Sequence, residues 1–466
     1  MQTPYVQQEI RRSWARIGAR FLPFADAATP DLPLSRLLRL SLFQVSVGMA
    51  LVLMIGTLTR VMIVELKVPA ALVGIMISLP LIFAPFRTII GFRSDHHRSA
   101  LGWRRVPYLW MGTMAQFGGL AIMPFALLVL SGAGQAAHAP AWVGHLGAGV
   151  AFLLVGAGLH TTQTVGLALA TDLASPESRP KVVGLMYVML LLGMIVSALI
   201  FGAALAEFSP GRLIRVIQGA AIITVVLNLV ALWKQESRSR GRAGAPAVVP
   251  DFRLSWQHFC EGEHAVRHLI AIGMGTMAFT MEDVLLEPYG GEILGLTVGA
   301  TTSLTAALAV GGLLGFGFAS RVLSRGADPL RLAAVGAALG LPAFLLVIFS
   351  APLLMPVLFA LGTLLIGLGA GLFGHGTLTA TMNLAPPSQS GLALGAWGAM
   401  QASGAGVGVA LGGIFRDIAA AVGGPVFGYL SVYALEVLLL VLTLVVMIPL
   451  IRRKNRSDNL SNNMRV

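Results

Sequence analysis

The sequence predicts an all-α polytopic membrane protein of twelve spanning helices arranged as two six-helix halves. Three observations carry this: 56% of the 466 residues are hydrophobic and 11% charged, twelve apolar segments are each long enough to cross a bilayer, and the two halves share a sequence register. A soluble domain must cover its surface with polar groups, which this composition does not supply.

Crossing roughly 30 Å of hydrocarbon takes about 20 apolar residues. Segments of that kind lie near 38–62, 70–92, 106–130, 142–170, 181–206 and 211–233, and again near 265–287, 296–320, 330–350, 353–384, 391–415 and 426–451. The organisation expected is an amphipathic N-terminal segment over 1–37, a six-helix bundle over 38–233, a linker over 234–264, a second bundle over 265–451 and a tail over 452–466. The linker carries Arg238, Arg240, Arg242, Pro246 and Pro250 with little apolar periodicity. In the N-terminal segment Arg11, Arg12, Arg16 and Arg20 interleave with Trp14, Ile17, Phe21 and Leu22, a spacing that suits a helix lying in the membrane interface. No removable signal peptide is expected, and the single cysteine, Cys260, leaves no partner for an internal disulfide.

Of the 32 lysine and arginine residues, 27 fall in the terminal segments, the linker and the loops after helices 2, 4 and 8; Arg60, Lys67, Arg212, Arg215 and Arg416 fall elsewhere. The positive-inside rule therefore puts both termini in the cytoplasm. The net charge of +12 follows from this bias and from attraction to anionic lipid, and no nucleic-acid motif accompanies it.

Leu153-Leu154-Val155-Gly156-Ala157-Gly158 matches Leu364-Leu365-Ile366-Gly367-Leu368-Gly369 at an offset of 211 residues, and Gly184 and Gly193 face Gly395 and Gly404 at the same offset. An ungapped register from 153 to 193 reads as duplication of a six-helix unit, the parallel repeat of the major facilitator superfamily. That fold places a central cavity among helices 1, 4, 7 and 10, with rocking contacts between helices 2, 5, 8 and 11.

Three groups of residues are candidates for function. Gly91, Asp95, Arg98 and Arg104 lie between helices 2 and 3 in a pattern that resembles the superfamily's signature loop. Asp95 paired with Arg98 or Arg104 would be a conformational latch; the alternative is a solvated charge cluster. His160 and Gln163 on helix 4, His375 on helix 10 and Gln44 on helix 1 are candidate ligand contacts facing the cavity. A neutral imidazole suits the open axial position of a chlorin magnesium, and the competing reading is hydrogen bonding to a threonine or carbonyl between helices. Glu282, Asp283, Glu287, Pro288 and Tyr289 form the most distinctive string. Its carboxylates followed by Pro288 and paired glycines suggest a helix broken at Pro288, its polar groups turned to water or protein. Counted along helix 7, Glu282 and Asp283 lie about 27 Å in, near the periplasmic mouth. Helices 1 and 4 carry no carboxylate in their central turns, so conventional proton-driven transport is disfavoured.

The strings Phe21-Leu22-Pro23-Phe24-Ala25-Asp26-Ala27, Ala84-Pro85-Phe86-Arg87 through Arg104-Arg105-Val106-Pro107-Tyr108, and Asp283 to Gly291 resemble those of the PucC/LhaA family, the bacteriochlorophyll delivery branch of the major facilitator superfamily. The resemblance covers essentially the whole chain. It implies a photosynthetic bacterium's inner or intracytoplasmic membrane and a non-enzymatic assembly factor that hands bacteriochlorophyll to nascent light-harvesting antenna polypeptides. Bacteriochlorophyll synthase and the membrane insertion machinery are the implied neighbours. The alternatives are a solute transporter of the same superfamily and an antenna-polypeptide chaperone that binds no pigment.

Overall fold

In the computed structural model, residues 27–29, 32–82, 90, 94, 102–132, 138–175, 178–236, 265–384 and 390–463 are described, and among them there is no strand. The helices are α1 (Leu34–Glu65), α2 (Ala70–Ile82), α3 (Val106–Leu130), α4 (Ala141–Leu173), α5 (Arg179–Ala204), α6 (Pro210–Leu232), α7 (Ala265–Glu292), α8 (Val298–Leu323), α9 (Pro329–Ser350) and α10 (Pro356–Leu384). A final helical run, Ser390–Asn463, is broken at Gly424, whose φ of 83° is a left-handed conformation that glycine adopts without strain. Its arms, residues 390–423 and 425–463, are α11 and α12. Ten stretches are long and apolar enough to cross a membrane, the last being the 56-residue run Ala396–Ile451. As one straight helix that run would reach about 84 Å, far beyond one bilayer, so it crosses and returns at Gly424. Only 13 residues of α2 are described, and the expected count of twelve spans rests there on the sequence.

Local chemistry sets the helix starts. Ser209, Thr297 and Asp328 stand at N-cap positions and accept backbone N–H groups of Arg212, Ala300 and Leu330 respectively, with proline in the first turn of α6 and α9. Outward faces are apolar: Met111, Phe125, Trp142, Val357 and Val422 are all exposed, as a lipid-facing surface requires.

The duplicated glycines make equivalent contacts in the two halves. Gly156 of α4 packs on Pro80 of α2, and Gly367 of α10 packs on Leu308 of α8. Two residues on, a Cβ at Gly158 would stand 2.5 Å from the Gln116 nitrogen of α3, and one at Gly369 would stand 2.8 Å from the Gly336 oxygen of α9. Gly193 of α5 abuts Val45 of α1 as Gly404 of α11 abuts Gly273 of α7. No side chain fits at these positions without moving a backbone, so the shared register fixes the same helix–helix distances twice.

The halves meet where the superfamily fold expects. On one side Gly202 of α5 lies against Gly299 and Ser303 of α8, and Tyr187 meets Phe316 with ring centroids 6.3 Å apart. On the other, Gly74 of α2 lies against Val409 of α11, and Gly413 against Ala70.

Candidate functional site

Two helices lose their regular α geometry, and they do so facing each other across the two halves. In α1 the ladder widens to π-helix over Val52–Thr57 and again over Val61–Glu65. In α7 it tightens to a 3-10 turn over Met281–Val284 before resuming at Leu286–Glu292. Such departures leave backbone groups with altered partners and recur at functional positions.

Glu287 stands at the centre of this contact, 3% exposed. Its carboxylate accepts hydrogen bonds from Thr305 Oγ1 at 2.5 Å and Thr302 Oγ1 at 3.3 Å, both on α8. Thr302 in turn meets Thr57 Oγ1 of α1 at 3.2 Å. Gly56 brings the α1 backbone against the carboxylate, where a side chain would collide with it. Arg60, 4% exposed, pairs with Glu65 at 3.0 Å and donates to the Leu296 carbonyl at 3.4 Å, with Gly291 giving its guanidinium room. A buried carboxylate is tolerated here because threonine hydroxyls donate to both its oxygens and a guanidinium lies within electrostatic reach.

A second polar cluster closes the same face, the one away from the chain ends. Glu292 accepts from Arg416 Nη2 at 2.6 Å and from the Tyr429 hydroxyl at 2.8 Å. Arg416 also pairs with Asp417 at 3.0 Å, and Asp417 Oδ2 accepts the Ala71 N–H at 2.7 Å. The carboxylate of α11 thus caps the first turn of α2, joining the halves through an end of helix that otherwise lacks acceptors.

These findings revise the reading of the 282–291 string. Its helix is interrupted at Met281–Val284, not at Pro288, which sits in the first turn of the resumed helix where its missing N–H costs nothing. Its polar groups turn to protein: Glu282 is 1% exposed, and buried Tyr289 donates to the Val347 carbonyl at 3.0 Å. Glu282 and Asp283 are also deeper than their count along the chain suggested, because α7 continues ten residues beyond Glu282, to Glu292.

Of the loop residues, Gly91, Asp95 and Arg98 lie outside the described residues. Arg104 is described, and its guanidinium pairs with Asp172 of α4 at 2.6 Å; Arg105 reaches the same carboxylate at 2.9 Å and Ser94 at 2.8 Å. Glu236 accepts the backbone N–H groups of Arg104, Arg105 and Val106, so a residue at the start of the linker caps α3.

The pigment candidates are distributed over both halves. His160 is half-buried and Gln163 buried on α4. His375 of α10 is half-buried edge-on to Phe316, centroids 4.4 Å apart, its Nδ1 without a hydrogen-bond partner among the described residues. Gln44 of α1 is fully buried, and neither its amide oxygen nor its nitrogen finds a partner there. The sequence reading missed Arg60, Arg416 and Asp417, whose only signal was that three charges stand in or beside apolar spans.

The profile of the family described as PUCC protein matches residues 57–455. Protein PucC of Rhodovulum sulfidophilum is 65% identical over 408 residues, 86% of this chain and 89% of that protein. The bacteriochlorophyll synthase 44.5 kDa chain of Rhodobacter capsulatus is 29% identical over 394 residues, covering 82% and 87%. Among solved structures, the nucleoside transporter NupG superposes with a TM-score of 0.67 at 14% identity, over 89% of this chain and 99% of that one, a likeness of fold. With the major facilitator architecture in place and the family profile running from the last turns of α1 into α12, the chain belongs to the PUCC family.

Proposed function

We propose that this protein is a non-enzymatic assembly factor for bacterial light-harvesting antenna complexes, which binds bacteriochlorophyll and delivers it to nascent antenna polypeptides. The observation that carries the reading is its membership of the PUCC family over residues 57–455; a more distant relative is named for bacteriochlorophyll. The site of action is the photosynthetic inner or intracytoplasmic membrane, both termini in the cytoplasm, beside bacteriochlorophyll synthase and the insertion machinery. A tetrapyrrole with an isoprenoid tail is already lipid-soluble, so delivery needs a protected apolar cleft with few polar anchors.

The donor chemistry fits such a cargo. The His375 imidazole offers a buried nitrogen with no hydrogen-bond partner among the described residues, and Gln44 offers a buried amide in the same condition; either suits the axial position of a magnesium held by four ring nitrogens. His160 and Gln163 supply the corresponding donors on α4.

The test is an absorption spectrum of the detergent-purified protein from cells that make bacteriochlorophyll, with the His160→Phe, His375→Phe double variant beside it. Co-purifying pigment that falls in the variant, together with impaired antenna assembly, is the expected result. Gradient-dependent uptake of a polar solute without pigment would instead identify a transporter. Capture of antenna helices without pigment would identify a chaperone. Full pigment stoichiometry in the double variant would move the ligand away from these histidines.

A further inference from the structure

The C-terminal half buries carboxyl groups that the closing contacts do not use. Glu436 lies on α12, twelve residues beyond the turn at Gly424, which places it about 18 Å along the helix and near the middle of the hydrocarbon. It is 0% exposed, and neither of its carboxyl oxygens has a hydrogen-bond partner among the described residues. The backbone N–H of Glu282 lies on its side of α7, facing it. Glu282 itself comes from the 3-10 turn of α7, with Oε2 buried and unpartnered. One turn before Glu436 on the same face, the Tyr433 hydroxyl is also fully buried, unpartnered, and within electrostatic reach of both acids.

Around them the wall is aromatic. Tyr433 packs on Phe344 at 6.4 Å and on Tyr289 at 5.3 Å between centroids. The titratable groups that face the pair are Asp283 and Tyr289 of α7 and Tyr429 and Tyr433 of α12. Among the described residues neither acid is in an ion pair, and Arg416 of α11 is engaged by Glu292 and Asp417. Two adjacent carboxylates without a counter-ion cannot persist in such surroundings, since an isolated buried charge costs far more than any packing returns.

We infer that Glu282, Glu436 and Tyr433 form a proton-binding site inside the C-terminal half, loaded through Asp283. The geometry favours a proton over a metal cation, because no group of three acidic, histidine or cysteine side chains among the described residues is arranged to hold a metal. Asp283 supplies the route. It is half-buried, and the 3-10 turn that carries it packs against α1 and α2 of the other half. Parting the halves would wet Asp283 first, and a proton taken up there passes to Glu282 and Glu436, one carboxyl O–H breaking as the next forms. The 3-10 turn is what makes this geometry: it leaves Glu282 buried and its neighbour Asp283 half-buried, in a segment packed on the other half. The turn therefore ties proton occupancy to the contact between the halves, although helices 1 and 4 carry no carboxylate in their central turns.

The test uses the full-length protein in lipid nanodiscs and dicyclohexylcarbodiimide, which modifies protonated carboxyls in apolar surroundings, with adducts mapped by mass spectrometry. We expect adducts on Glu436 or Glu282 at neutral pH and none on exposed Glu207, with labelling that falls several-fold as pH rises and is indifferent to sodium chloride. Glu436→Gln, isosteric with the neutral acid, should retain the parent's thermal midpoint. No adduct on either glutamate at any pH overturns the proposal. Protection by sodium chloride but not by choline chloride also overturns it, replacing the proton by a sodium ion.

Discussion

The two halves are built on one packing plan and bury different chemistry. In the N-terminal half the buried charges are the cations Arg60 and Arg105, and the other interior polar groups are neutral: Ser46 donates to Asn228 at 2.8 Å, Asn228 donates to Thr113 at 2.9 Å, and Gln44 and Gln116 are fully buried. In the C-terminal half they are acids, Glu282, Glu287 and Glu436, all 3% exposed or less. The glycines that set helix spacing recur at a common offset, while the side chains between those contacts do not. Duplication thus supplies the scaffold, and the asymmetry marks where protons and charge are handled.

The sharpest way to break this comparison is to overfill its shared layer. Gly158→Leu and Gly369→Leu should each destabilise by about 3 kcal/mol or prevent folding. Monodisperse yield on size exclusion is the readout, and a tolerated leucine at either site would end the equivalence. Next, Glu287→Ala removes the acceptor of two buried threonine hydroxyls and the carboxylate within electrostatic reach of Arg60, a loss of about 3 kcal/mol, read as a lowered thermal midpoint; a threonine-only contact would lose far less. In the N-terminal half, Asn228→Leu should cost about 1 kcal/mol by removing the amide that links Ser46 to Thr113, and a Ser46→Ala background should recover part of it in a double-mutant cycle. The smallest effect belongs to Asp417→Ala. Losing the cap on α2 is worth about 1 kcal/mol, a roughly five-fold shift between conformations, visible as a changed spin-label distance between α2 and α11.

What the sequence revealed was whatever local spacing encodes. Gly156, Gly158, Gly193 and their partners announced the repeat because close helix packing demands glycine itself. Asp328-Pro329 and Ser209-Pro210 start their helices for equally local reasons. Pro288 misled, since a proline that interrupts a helix and one that opens it read alike until the hydrogen bonds are traced. Glu292 and Arg416 are 124 residues apart, and Asp417 is 346 from Ala71; no spacing rule links such pairs. Glu436 was invisible for the opposite reason, a lone acid in an apolar run with its neighbours on another helix. The Asp95 latch lies outside the described residues.

Glu236 carries a consequence for how the protein is made. By capping α3 directly after α6 ends, it completes the polar closure of the first half with a residue that leaves the ribosome before any of α7. Gln235 beside it holds Arg36 through its side-chain and main-chain oxygens, at 3.1 and 2.8 Å. The first six helices therefore gain their fastening from residues already synthesised, and the second half meets a finished template in the membrane instead of an open bundle with which it would have to fold as one.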